Sequence, residues 1–429
     1  MTDQYDLVVV GAGVIGLSCA YHMKADHPEV KILVLDKASG AASGDTSKSA
    51  GAVRNTFTSE TNYLLADTSL DFYLHIQRDL KSNLDLEFVG YLWLLTEREY
   101  QVFEGFAKSM TEKGIRLKIW SKDDLREMVE GLCLEFSSDD DEAKTLGLEN
   151  IVAGVQGIKC GTIAPELVAR FYEKEFKNLG GTIMYNTEVT SLILEPTEKL
   201  GLPKEPLIWQ DKKIKGVRTG AGDIYAKTTV IAAGRWANKL LDEIGVDSHM
   251  KTKKRQIFQL SSPKIVNLLT TKGFNEYELL PFTILPKGGV YMRPVRAEKG
   301  FWVGAADDLG RPFIFEEDPK PESDYFTYNI YPILSKYFPQ FIDVKPNSTW
   351  AGEYDINTSD SNPCIFEENG LLVVAGLSGS GIMKADAVGR IASALRDGRE
   401  EATLYGGRKI NVRRLGVTER DVGKERFVL

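Results

Sequence analysis

The sequence predicts an α/β protein in which a parallel-sheet domain is interleaved with an α+β domain built on an antiparallel sheet. Three stretches of the 429 residues carry this expectation. VVVGAGVIGLSCAYHM (residues 8–23) runs strand, glycine turn, helix. LLVVAGLSGSGIMKADAVGR (371–390) repeats that order far along the chain. Between them, about 250–345, strands rich in aromatics and prolines, including GVYMRPV and GFWVGAA, suit a sheet with one covered face.

Each glycine of the first turn has a mechanical reason. Gly11 permits the turn, Gly13 lets backbone approach a diphosphate, and Gly16 lets helix and strand pack closely. The helix N-terminus then presents unpaired N–H groups to the anion. The strand KILVLD follows and ends in Asp36, about 20 residues after Gly16, where an acidic side chain reaches ribose hydroxyls. This is a Rossmann-like dinucleotide site.

The next stretch, KASGAASGDTSKSAGAVRNTF (37–57), is a loop of small residues suited to lie against a ligand. A helix is expected from Ser59 to Leu80 and a strand over 86–96. Two helical stretches then lead to SSDDDEA, a solvated turn. GTIAPELVARFYEKEF opens an amphipathic helix, followed by strands and a hairpin interrupted by EPTEKLGLPKEP. IYAKTTVIAAGRWANKLL again reads strand, small-residue turn, helix around Gly234. A helical piece is expected from Ser323 to Tyr337. In the last helix Ile382, Ala385, Val388, Ile391, Ala392 and Leu395 recur at helical spacing. The expected nucleotide-binding domain is therefore 1–85, 150–245 and 347–405, and the substrate domain 86–149 and 246–346. Residues 406–429 form a charged tail, either solvated or docked through Phe427, Val428 and Leu429 over the substrate mouth or a partner.

Hydrophobic content of 43% and charge of 27% describe an ordinary globular enzyme, and a net charge of −8 argues against a nucleic-acid partner. Cys19, Cys133, Cys160 and Cys364 lack metal-ligand spacing and read as reduced thiols. No signal peptide or membrane span is expected, which points to the cytoplasm and leaves peripheral membrane contact and homo-oligomerisation open.

Two glycine loops at opposite ends of the chain favour FAD over NAD. One holds the diphosphate, while Gly376, Gly379 and Gly381 open a second helix. That helix N-terminus, with Lys384 nearby, would stabilise negative charge at the flavin N1–C2=O edge.

The sequence here resembles the FAD-dependent D-amino-acid oxidase superfamily, in its sarcosine oxidase, glycine oxidase and dimethylglycine dehydrogenase branch. The resemblance rests on VVVGAGVIG with Asp36, SKSAGAVR, GTIAPELV, VIAAGRWA, WAGEYDINTSDSNP and AGLSGSGIMKADAVGR. KSAGAVRNTF with WAGEYDINTSD is most like dye-linked L-proline dehydrogenases. The resemblance implies that Gly11, Gly13, Val14, Ile15 and Gly16 line the diphosphate and that Asp36 and Lys37 meet the adenosine. It implies that Ser47, Lys48, Ser49, Ala50, Gly51 and Ala52 pass beneath the flavin. Val189 matches the position facing adenine, and Ala233, Gly234 and Trp236 flank the cofactor. Gly379, Ser380, Gly381, Ile382, Met383 and Lys384 match the loop beside the flavin ring. Arg54 holds the position where relatives bind a carboxylate, which a guanidinium grips with two parallel hydrogen bonds. Tyr354 closes over the substrate, donates a hydrogen bond to it, or packs at the domain seam.

Two departures from the family matter. Covalent-flavin relatives carry a cysteine before the turn occupied here by GEYDINTSD, whereas Cys364 follows it, so non-covalent FAD is expected. Oxidases place a lysine where Trp302 stands, so the implied electron acceptor is a quinone or an electron-transfer protein rather than oxygen. Alcohol oxidation needs a positioned base such as histidine, and His22, His27, His75 and His249 fall in no matched motif. The expected reaction is therefore oxidation of a C–N bond in a secondary amino acid, L-proline first and sarcosine-like amines next. A 2-hydroxyacid or glycerol-3-phosphate dehydrogenase, or a non-catalytic flavin subunit of an electron-transfer complex, is the alternative.

Overall fold

The computed structural model describes residues 5–423 and Glu425. Two eight-stranded sheets organise them. In the first, Tyr5–Val10 pairs in parallel with Ile32–Leu35 on one side and Gly222–Ile231 on the other. Thr182–Met184 and Leu371–Ala375 continue the parallel set outward, and Cys364–Glu368 adds an antiparallel edge. Leu7, Val8 and Val9 are wholly buried, as an apolar run covered on both faces must be.

The first helix, Val14–Asp26, lies against the final helix, Gly381–Arg396. Ser18 Oγ donates to the Ala385 carbonyl at 2.7 Å, and a Cβ on Gly389 would fall 2.3 Å from Ser18 Oγ. Glycine at 389 thus sets how closely the two helices approach. Ile382, Ala385, Val388, Ile391 and Ala392 are buried here, and Leu395 is partly so. The long helix Glu60–Arg78 packs beside them and begins at Ser59, whose side chain accepts from the Asn62 amide.

The second sheet runs in the order Ser348–Asn357, Met250–Ser261, Gly300–Ala305, Val290–Val295, Phe282–Ile284, Tyr91–Leu95, Ala153–Gly157, Leu117–Ser121. All its neighbours are antiparallel except Phe282–Ile284 with Tyr91–Leu95. Two expected boundaries shift as a result. Ala153–Gly157 and Ser348–Asn357 belong to this sheet, because their hydrogen-bond partners lie in the antiparallel domain. Strand partnership across a chain leaves no local sequence mark.

The acidic turn is also more ordered than expected. Asp141–Leu146 is helical, capped by Asp140, which accepts from Ala143 N at 2.9 Å and pairs with Lys336. Residues 409–423 dock on the body of the protein through a few buried side chains, while the others in the segment stay solvated. Lys409–Asn411 pairs with Glu401–Thr403, and Val412, Leu415 and Val422 are buried. The apolar tip Phe427–Leu429 lies outside the described residues. Among the described residues, no helix is long and apolar enough to cross a membrane.

Candidate active site

A cavity of about 730 Å³ opens where the two sheets meet. One wall is the first glycine turn with Val14, Ile15, Asp36 and Lys37, joined by Val189 and the Ala233–Gly234–Trp236 turn. The other comes from the antiparallel domain through Arg255, Tyr291, Tyr354 and Asp355. Lys48, Ser49 and Ala50 lie along it, and Gly379, Gly381 and Ile382 close the far end.

The glycine turn is shaped to take a diphosphate. A Cβ on Gly11 (φ +110°) would stand 2.5 Å from the Ala232 carbonyl oxygen, and one on Gly16 would stand 1.9 Å from the Gly11 carbonyl oxygen. Both positions are closed by protein backbone. Gly13 differs, since its Cβ would meet only Thr46 Oγ1, at 3.3 Å, and it lines the open cavity. Asp36 accepts Ala12 N at 2.6 Å and Ala38 N at 2.8 Å, which anchors it at the strand end. Each carboxylate oxygen keeps a further lone pair for a hydroxyl. These residues fit the adenosine diphosphate half of FAD.

Several residues expected at the wall stand behind it. Gly16 packs on Gly11, and a Cβ on Gly51 would meet the Ile163 carbonyl oxygen at 2.3 Å. Ala52 is paired with Thr162 in a small ribbon. Ser47 Oγ and Ser380 Oγ donate to the Gly44 and Leu377 carbonyls, and Met383 is buried in the core. Lys384 is the larger correction. Gly381 and Ile382 face the cavity, but helical geometry turns Lys384 toward the long helix, where Nζ donates to Asn62 Oδ1 at 2.6 Å.

Lys384 there joins Arg54 rather than the cavity wall. The Arg54 guanidinium lies 4.3 Å from the Phe57 ring centroid, and Lys384 Nζ lies 5.4 Å from the same centroid. Arg54 Nη1 also donates to the Thr56 carbonyl at 2.9 Å. Burial, with the Arg54 charge beside it, pushes the Lys384 ammonium down to about 7. Tyr91 stacks on Phe282, which stacks in turn on Tyr291 of the cavity wall. Burial holds the Tyr91 phenol well up. The Arg54 guanidinium lies 5.9 Å from the Trp93 ring centroid, and Trp93 lies 5.5 Å from Tyr91, so this aromatic layer joins the cationic cluster to the cavity wall.

Tyr354 lines the cavity with its ring against Gly379, where a Cβ would fall 2.2 Å from the ring. Trp302 Nε1 donates to Glu298 at 2.7 Å, and the Arg293 guanidinium lies 4.4 Å from the Trp302 ring centroid.

Other wall residues carried no sequence signal. Arg235 is buried between Asp45 at 2.8 Å and Glu353 at 2.9 Å, joining the small-residue loop to the second sheet. Glu317, from the 306–322 segment, pairs with Lys37 and Lys239 and accepts from Trp236 Nε1. The Lys37 hydrogen bond draws its carboxyl down to about 2. Beside the cationic cluster, Glu425 accepts from Thr58 N at 3.0 Å, Thr58 Oγ1 at 2.7 Å and Ser59 N at 3.2 Å. Each histidine has a carboxylate partner: His22 with Asp386, His27 with Asp397, His75 with Asp79 and His249 with Asp247. Among the described residues, no histidine lines the cavity.

The chain is similar to known proteins over most of its length. It is 24% identical over 432 residues to "FAD-dependent oxidoreductase domain-containing protein 1" of Bos taurus, covering 92% of this chain and 81% of that protein. It is 22% identical over 401 residues to glycine oxidase of Bacillus subtilis (strain 168), covering 92% and 94%. Its fold matches the crystal structure of L-proline dehydrogenase from P. horikoshii with a TM-score of 0.74 at 22% identity, covering 93% and 95% of the two chains. The family model for FAD dependent oxidoreductases, DAO, matches residues 6–395, and with the glycine cradle and Asp36 in place the chain belongs to that family of FAD enzymes.

Proposed function

We propose that the chain is a dehydrogenase oxidising the C–N bond of a carboxylate-bearing secondary amine, L-proline first and sarcosine-like amino acids next. The observation that carries this reading is the buried pair of cations, Arg54 and Lys384, gathered on Phe57 and linked through Trp93, Tyr91 and Phe282 to Tyr291 of the cavity wall. Two cations in a desolvated pocket favour an anion, and a guanidinium suits a carboxylate geometrically. Bound FAD would supply the acceptor for the α-hydride, which carries both electrons of the oxidation. Arg54 grips the carboxylate, and Lys384, fixed by Asn62, is protonated as the anion arrives.

A neutral amine loses its α-hydride with its own nitrogen lone pair completing the C=N bond, whereas an alcohol needs a base for its hydroxyl proton. Every histidine here is paired elsewhere, and burial raises the phenols of Tyr91, Tyr291 and Tyr354 out of the range of a base. That favours the amine. The aromatic stack of Tyr91, Phe282 and Tyr291 keeps water from the reacting carbon. FAD is held non-covalently, in keeping with Cys364, which is buried and whose thiol burial pushes up to about 11. Electrons leave to a quinone or an electron-transfer protein, in keeping with Trp302 at the position where oxidases carry lysine.

The test is anaerobic addition of L-proline, sarcosine, a 2-hydroxyacid and glycerol 3-phosphate to the yellow protein. Bleaching by the amines alone supports the proposal, and bleaching by a hydroxy compound replaces it with alcohol oxidation. No bleaching by any of them points to a flavin subunit. Arg54→Met is expected to raise KM for the amine on the order of 100-fold while leaving the flavin spectrum in place, since two charge-assisted hydrogen bonds are lost. An unchanged KM removes Arg54 from the site.

A further inference from the structure

Asp355 stands near the end of the strand Ser348–Asn357, in the cavity wall, and the function proposed above makes no use of it. Its Oδ2 accepts two consecutive amides of the loop before the final helix, Gly376 N at 3.0 Å and Leu377 N at 3.2 Å. Its carbonyl accepts Ser378 N at 3.1 Å, and two residues on, Asn357 N donates to Ser378 Oγ at 3.0 Å. One strand of the antiparallel sheet is thus zipped to a loop that belongs to the parallel one.

That loop needs an external hold. Gly376, Ser378 and Gly379 have φ of +69°, +50° and +78°, and Ser378, with a Cβ, is in a region that disfavours it. An acceptor that collects two successive amides fixes such a turn. The same carboxyl is half-buried in the cavity wall, and its desolvation there lifts it to about 6 against the pull of the two amides. The charged groups around it are Asp45 on the small-residue loop, which lifts it further, and Glu353 on its own strand, both engaged by Arg235. Across the pairing strand it meets Thr252, flanked by Lys251 and by Lys253, which turns to Asp308. The loop 376–380 carries no charge of its own.

We propose that Asp355 is a positioning residue for the redox ring of FAD: it sets the 376–381 loop by gathering the Gly376 and Leu377 amides, and its carboxylate charge in the cavity wall makes bound FAD harder to reduce. The inference rests on the reading that this loop faces the isoalloxazine. It does not depend on which substrate the enzyme oxidises.

The experiment titrates FAD-loaded wild type, Asp355→Asn and Asp355→Glu with a reductant against a reference dye between pH 5 and 8, with no amine present. At pH 8, Asp355→Asn is expected to shift the balance of oxidised and reduced flavin about tenfold toward reduced, the effect of one pKa unit of coupling. The difference closes toward pH 5, where the wild-type carboxyl is itself protonated, and Asp355→Glu keeps the wild-type profile. Infrared difference spectra of the wild type at pH 7 give a second readout that requires no variant to fold. Reduction adds negative charge nearby and draws a proton onto Asp355, so a protonated-carboxyl band should appear on reduction. Parallel potentials for wild type and Asp355→Asn across the range, or reduction without that band, would overturn the proposal. Failure of every amine to bleach the flavin would instead fall on the proposed reaction and leave this inference standing.

Discussion

A chain carrying Gly16→Ala is expected to be recovered without flavin and with a lowered melting temperature. The new methyl would lie 1.9 Å from the Gly11 carbonyl oxygen, 3.0 Å from its carbon and 3.4 Å from the Ala232 side chain. None of these can step aside cheaply. Gly11 N is bonded to the Leu35 carbonyl at 2.8 Å, and Ala232 N to the Val10 carbonyl at 3.0 Å, so relief must displace the centre of the parallel sheet. Overpacking of this kind costs roughly 1–3 kcal/mol, and more when backbone has to move. Gly13→Ala makes the discriminating control. Its methyl meets only Thr46 Oγ1 at 3.3 Å, so the flavin-free protein should melt as the wild type does while binding FAD at least tenfold more weakly, because the methyl occupies space the diphosphate needs. Absorbance at 450 nm against 280 nm after purification, together with melting curves of both flavin-free variants, decides the matter. A yellow, normally stable Gly16→Ala protein would contradict the packing role.

Lys384→Met is expected to change both the pH dependence of stability and the affinity for the amine. The wild-type ammonium sits at about 7 in the folded protein, first because it is buried and then because Arg54 is near, against an ordinary 10.5. Between those two values the unfolded chain binds a proton that the folded chain does not, so wild-type stability rises with pH across that window. Below pH 7 both states are protonated and the burial of charge weighs fully against folding. Methionine removes this dependence. The rise that Lys384 contributes between pH 7 and 10.5 should be missing from the variant, read as the difference between the two slopes, even though the stranded Asn62 oxygen costs about 1–3 kcal/mol at every pH. For the substrate, losing one of two cations should raise KM on the order of tenfold, and the wild-type weakening of carboxylate binding above pH 7 should disappear. Urea melts and initial rates at three pH values measure both; a retained slope would mean that Lys384 is not the group that titrates.

What was legible in the sequence was what chemistry imposes locally. Gly11, Gly13 and Gly16 must be glycine for reasons confined to one turn, and Asp36 closes the neighbouring strand. The stripe Ile382, Ala385, Val388, Ile391 likewise marks a helix face on its own evidence of spacing. What stayed hidden depends on partners distant in the chain. Lys384 follows directly after cavity-facing residues, yet the long helix decides where its amine goes. Ser348–Asn357 carries the first part of the family-like stretch WAGEYDINTSDSNP, but ten residue pairs with Met250–Gln259 place it in the other sheet. Arg235, Asp45 and Glu353 come from three separate segments, so no local spacing could have announced their cluster.

The interleaving of the two sheets also governs how the protein comes into being on the ribosome. Tyr5–Val10 emerges well before its neighbour Gly222–Ile231, and Leu371–Ala375 comes later still. At about 5–20 residues per second the nascent amino-terminal strand stays exposed for many seconds, with apolar faces uncovered and one edge unpaired. Neither half of the chain, expressed by itself, is therefore expected to reach the holoenzyme.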